Sequence, residues 1–67
     1  MVATAKFNEA VNRKGLKKSF IADSLGISRY SLMNKTTNKT EFKASEIAKL
    51  VEILALSNSD VNEIFFA

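Results

Sequence analysis

Ser28, Arg29, Tyr30, Met33 and Asn34 place a guanidinium, an amide, two hydroxyls and a thioether within seven residues. At helical spacing, Arg29, Tyr30, Met33 and Asn34 share one outward face, and Leu32 is the inner anchor of the same helix. A guanidinium such as that of Arg29 donates two parallel hydrogen bonds, which fits the O6 and N7 atoms of guanine. The Asn34 amide fits the N6 and N7 atoms of adenine. Tyr30 offers a ring for a thymine methyl and a hydroxyl for a base or phosphate, and Ser28 adds a second hydroxyl. This is base-edge chemistry, and the competing reading is an ordinary solvated helix face.

Lys17 and Lys18 stand where the preceding helix begins. Positive charge there opposes the helix dipole by a few tenths to about 1 kcal/mol each. Free amides and two ammonium groups at one spot suit a phosphate. Asn38 and Lys39, in the polar loop that follows, are also expected to grip phosphates. Lys14, Lys35 and Lys43 are weaker candidates.

Catalytic chemistry has little to work with. The chain contains no Cys and no His, which removes thiol chemistry, disulfides and the commonest metal ligand and general base. The acidic residues form no pair, and there is no phosphate-binding glycine loop or nucleophile–base arrangement. No enzyme, no metal and no cofactor are expected.

The elements that hold these residues follow from the apolar spacing. Sixty-seven residues make one domain, 1–67, and such a chain buries only about 60% of its unfolded surface. Two Gly and no Pro argue against a turn-rich β fold. Phe7, Ala10 and Val11 predict a helix over 4–14, capped by Thr4 and stopped by Gly15. Ile21, Ala22 and Leu25 predict a helix over about 18–25 with Lys17 as its cap, stopped by Gly26. Ser28 caps a third helix over 29–35, with Ile27 and Leu32 forming a hydrophobic staple. Residues 36–40 form a polar loop. Ile47, Leu50, Val51 and Leu54 predict a fourth helix over 44–55. Ser59 is expected to cap a last helix carrying Val61, Ile64 and Phe65. The fold class is therefore all-α with five helices. No apolar run reaches the ~18 residues of a membrane span, and the N-terminus does not resemble a signal peptide, so a cytoplasmic location is expected.

Phe20, Phe42, Phe65 and Phe66 are most simply core, with Phe7 and Phe42 among the first, fourth and last helices; Phe20, if exposed, is a second candidate contact surface. Phe65 and Phe66 are adjacent, so one helix cannot bury both. One of them, with Val61 or Ile64, forms an exposed partner surface or else covers the first helix of its own chain. The net charge of +3 divides unevenly. Residues 1–40 carry eight basic and two acidic side chains, and residues 41–67 carry two basic and five acidic ones. The split suits one face for a polyanion and another for a different purpose, or else reflects an unevenly charged surface.

Two helices meet at Leu25-Gly26-Ile27-Ser28 with almost no connection. Gly26 tolerates the left-handed turn, and Ala22 is small enough for a close crossing. This is the arrangement of a DNA-binding helix-turn-helix. The stretch from Lys18 to Thr37 resembles the lambda-repressor-like, or Cro/C1-type, superfamily through Ile21-Ala22, Leu25-Gly26-Ile27-Ser28 and Leu32. Asn38-Lys39-Thr40-Glu41-Phe42, Ser45-Glu46-Ile47 and Ile64-Phe65-Phe66 extend the likeness to small Cro-like regulators of temperate phages of Gram-positive bacteria. The chain departs from that pattern at Lys17, Lys18, Phe20 and Lys35. Lys35 replaces a usual buried aliphatic, which predicts a short or frayed reading helix. The resemblance implies a homodimer on a partly palindromic operator in double-stranded DNA, paired around the last helix, and repression near the nucleoid of a bacterial host. The alternative is an antirepressor that complexes the opposing phage repressor through its apolar C-terminus.

Overall fold

Apolar residues three and four apart set a buried stripe on four of the helices, the third adds Leu32 and Thr36, and all five close over one core. The computed structural model describes residues 1–66. Its helices are α1 (Thr4–Lys14), α2 (Lys18–Leu25), α3 (Arg29–Thr36), α4 (Ala44–Leu54) and α5 (Asn58–Phe65). There is no strand among the described residues. α2 packs on α3 and α4, and α1 packs on α4 and α5. Phe7, Ile21, Leu32, Leu50 and Leu54 are the largest fully enclosed side chains. Each contributes about 1.5–3 kcal/mol through burial. Phe42 bridges Phe7, at 6.3 Å between ring centroids, and Phe65, which it meets edge-on at 5.7 Å.

The first two helices end as the glycines require. Gly15 (φ 67°) and Gly26 (φ 70°) adopt the left-handed conformation. Leu16 and Ile27 then donate their amides back to Val11 and Ala22. α4 stops in the same way on Ala55 (φ 51°), with the Leu56 amide on Val51. That stop carries no glycine signal, and the helix ends at Leu54 rather than 55.

Two predicted caps are displaced. Ala3, not Thr4, precedes α1, and the Thr4 hydroxyl instead donates to the Thr36 carbonyl at the end of α3. Ser57, not Ser59, caps α5. Its hydroxyl accepts from the Asp60 amide at 3.0 Å while Asp60 accepts from the Ser57 amide at 3.0 Å. Ser59 lies inside the helix and donates to Glu63 at 3.0 Å. The reciprocal pair needs Ser and an acid three residues apart. Ser57 has Asp60 at that distance, and Ser59 has only Asn62.

The expectation of a frayed α3 is corrected. The helix runs through Thr36, one residue beyond the predicted end. Lys35 is held inside by an ion pair with Glu46 at 3.0 Å, its side chain 12% exposed and that of Glu46 10%. The same ammonium donates to the Glu41 carbonyl at 3.1 Å and lies 5.9 Å from the centre of the Phe42 ring. An aliphatic stem with a satisfied charge thus occupies the space of an aliphatic side chain.

Candidate functional site

Residues from three helices line a groove of about 470 Å³ between α1, α3 and the start of α2. Lys18 enters from α2, Arg29, Tyr30 and Met33 from α3, and Asn8 from α1. The α3 contribution depends on two anchors. Ser28 accepts from the Ser31 amide at 3.0 Å and starts the helix. Leu32, 2% exposed, turns the opposite face inward. With Leu32 buried, Arg29, Tyr30 and Met33 point out, Tyr30 at 69% exposure and Met33 at 49%. Large apolar side chains left out of the core on a folded domain mark a contact surface when they cluster with polar groups.

The electrostatics separate the cations into two sets. Lys6 pairs with Glu63 at 3.1 Å, Arg13 with Asp60 at 3.3 Å and Lys35 with Glu46. The acids of α5 are therefore tied to α1 and do not form a free acidic face. Lys14, Lys17, Lys18, Arg29 and Lys39 make no ion pair among the described residues. The N-terminus of α2 also has no side-chain cap and no acid in its first turn, and α3 has no acid there either. α4 and α5 each carry one, Glu46 and Asp60.

Three carboxylates are shifted downward. For Glu46, burial alone would raise the pKa. The bond from the Lys43 amide at 2.8 Å and the bond and charge of Lys35 outweigh it and hold the carboxyl below the ordinary range. Asp60 is lowered first by the Ser57 amide and then by the Ser57 hydroxyl and Arg13. Glu63 is lowered by Lys6 and Ser59, and Lys6 is correspondingly raised by Glu63.

Lys18, Arg29, Tyr30 and Met33 are brought together at the groove, and Ser28 is exposed at its cap position. Lys17 and Lys39 are exposed. Asn34 differs from expectation. Its Oδ1 is buried and has no hydrogen-bond partner, so the two amide atoms needed for an adenine edge are not both presented. Asn38 is also committed elsewhere. Its Oδ1 accepts from the Val2 amide at 2.6 Å, and its Nδ2 donates to the Val2 carbonyl at 3.0 Å. The side chain therefore holds the N-terminal segment instead of waiting for a phosphate.

The expected partner surface of the last helix shrinks to one residue. Ile64 and Phe65 are core, 3% and 5% exposed, and Val61 is half-buried. Phe66 alone projects, 68% exposed, beside a second groove that Met1, Phe42 and Ile47 help to line. Phe20, read as core or else as exposed, is 51% exposed on α2. Asn8 was not a sequence candidate. It has no distinctive neighbour in the chain and joins the site only because α1 and α3 meet.

No helix among the described residues is long and apolar enough to cross a membrane. No group of His, Cys, Asp and Glu among them could hold a metal ion. No curated protein and no solved structure matches the chain. A family model described as DUF739, a protein of unknown function, matches residues 5–67. That match takes in all five helices and the groove apart from Thr4, the first residue of α1, so the chain belongs to the DUF739 family.

Proposed function

We propose that this protein is a sequence-reading regulator that binds double-stranded DNA. In this reading, α2 and α3 form a helix-turn-helix of the Cro/C1 type, and α3 enters the major groove. The observation that carries it is the convergence of Lys18 and Arg29, both without an acidic partner, with the exposed Tyr30 and Met33 around one groove. Arg29 reads a guanine edge, Tyr30 and Met33 meet a thymine methyl, and Ser28 adds a hydroxyl at the start of the helix. Lys17, Lys18 and Lys39 hold phosphates and fix the register without carrying sequence information. Asn34 joins the readout only if its amide turns outward on binding.

The resemblance supplies the rest of the proposal. Two copies bind a partly palindromic operator, and occupation of a promoter represses transcription in a bacterial cell, as in a phage lysis–lysogeny switch. The experiment is selection of bound duplexes from a random pool at moderate salt. An enriched two-fold-symmetric site supports the reading. Weak retention that vanishes with salt and enriches nothing overturns it.

A second reading draws on the exposed Phe66, which lines a groove of mixed character with Met1, Phe42 and Ile47 on one hand and Asn38, Thr40 and Glu41 on the other. There the protein acts as an antirepressor that seizes an opposing phage repressor. A stoichiometric complex with such a repressor, without any shift of DNA, favours this alternative.

A further inference from the structure

Asn38 stands at φ 68°, a left-handed conformation that the ends of α1 and α2 give to glycine. Side chains are costly there, and asparagine is among the few tolerated. Its amide explains why glycine does not take the position. Oδ1 accepts from the Val2 amide at 2.6 Å, and Nδ2 donates to the Val2 carbonyl at 3.0 Å. Glycine would make the turn without making either bond.

The segment that Asn38 holds, residues 1–3, lies across the fold as a strap. Val2 is buried, and the Ala3 amide donates to the Ile64 carbonyl in the last turn of α5. The next hydroxyl, on Thr4, donates to the Thr36 carbonyl at the end of α3. Beyond Asn38, the Lys39 amide donates to the Asn34 carbonyl at 2.9 Å, and the Thr40 amide shares that carbonyl at 3.3 Å. The backbone of Lys39 is therefore held from both sides, by the strap behind it and by α3 ahead of it. Its side chain is exposed and makes no ion pair among the described residues. A long ammonium side chain loses rotamer freedom when it binds, so a fixed starting point limits what else must be ordered.

We propose that Asn38 is a positioning residue. It latches the strap onto the loop and so sets Lys39 against a phosphate of the bound duplex. The proposal rests on the DNA reading above and deepens it, because one DNA contact then depends on a side chain that does not touch DNA. The competing role is closure of the core over Val2, in which loss of the latch lowers stability and leaves DNA contacts alone.

The test uses the intact protein, labelled for amide exchange, and Asn38→Gly, which keeps the turn and removes both bonds. Exchange at Ala3 and Lys39 should quicken by about tenfold, the worth of one net hydrogen bond or more, while Leu50 in the core is unchanged. Equal quickening at Leu50 overturns the proposal, because the amide then supports the whole fold. Unchanged exchange at Ala3 and Lys39 also overturns it, because no latch has been released. If Asn38→Gly does not fold, Asn38→Asp takes its place under the same criteria. It has the same size, keeps the acceptor for the Val2 amide and removes the donor.

A second arm measures affinity for the selected duplex across a salt series. Lys39→Ala should weaken binding severalfold and reduce the salt slope by about 1. Asn38→Gly should move both in the same direction, and the double variant should bind no more weakly than Lys39→Ala alone. Losses that multiply in the double variant overturn the proposal, because the two residues then act independently. Native affinity and slope in Asn38→Gly overturn the positioning role and leave the DNA reading standing. Failure of the native protein to retain any duplex overturns the DNA reading, and the positioning role falls with it.

Discussion

A lysine ammonium enclosed between two helices must be met by an acid or expelled, and Lys35 is met by Glu46. The Glu46 oxygen that takes this ammonium also takes the Lys43 amide, so one carboxylate both closes the α3–α4 contact and starts α4. Because the carboxyl is held below its ordinary value, its share of stability is complete above pH of about 4.3, the unfolded value, and is lost as pH falls through the lower folded value. Glu46→Gln should cost about 3 kcal/mol at neutral pH, the low end for breaking a buried pair, and should flatten the acid limb of a stability–pH profile. Combining it with Lys35→Leu should recover most of that loss, measured by urea unfolding, since no charge is then left unpaired. The same scale holds the test of the reading surface. Arg29→Ala should lower affinity for a selected duplex by about 1–3 kcal/mol and relax preference at one base pair. Lys18→Ala should weaken binding to all duplexes and reduce the salt slope by about 1. Titrations across a salt series with selected and scrambled duplexes distinguish the two patterns. Lys35 was legible in the sequence only as an anomaly. A cation at a core spacing signals an acid elsewhere, but nothing in the chain pointed to Glu46, eleven residues away.

At the scale of elements, α1, α2 and α4 end in the same way: a left-handed residue followed by an apolar one that bonds back and packs inward. Glycine marks two of these stops, which is why the ends of α1 and α2 could be read directly. Ala55 marks the third, and the strain of a side chain at φ 51° is carried there by the packing of Leu56. Ala55→Gly should therefore stabilise the fold by up to about 1 kcal/mol. Gly26→Ala should destabilise it by about 1 kcal/mol, from backbone strain alone, because nothing beyond the adjoining residues lies within 4 Å of the added carbon. Thermal melting of the two variants should move in opposite directions. Helix starts were less legible than stops. Ser57 and Ser59 are equally good caps by type, and only Asp60, three residues after Ser57, separates them. Thr4 looked like a cap by residue type, whereas the fold gives its hydroxyl the Thr36 carbonyl. The stripe Val61, Ile64 and Phe65 of the last helix was read correctly, but whether it would cover its own chain or a partner was left open. Phe42, set between Phe7 and Phe65, decides for its own chain.

As a whole molecule, the protein measures 27 × 24 × 21 Å. One turn of duplex DNA is about 34 Å, so one copy can serve one half-site and a palindrome requires two. The proposed function therefore predicts two chains per selected site. Sedimentation of the complex should show this stoichiometry with an intact palindrome and a single chain when one half is scrambled. The uneven charge along the chain was legible, but its meaning was not. Folding brings the acids of α5 onto α1, where they neutralise Lys6 and Arg13 and leave the cations around α2 and α3 uncovered. Pairings between residues 47 or more positions apart leave no local pattern to read.

The Ala3 amide bonds to the Ile64 carbonyl at 2.7 Å, so the two ends of the described chain lie side by side. The order of the helices is then a matter of where the ring of elements is cut. A circular permutant that bridges residue 66 to residue 1 through a short Gly/Ser linker and opens between Glu41 and Phe42 keeps every helix whole. It should fold, with a far-ultraviolet dichroism spectrum matching the parent. Failure to fold would mean that the continuous run from α3 into α4 is indispensable.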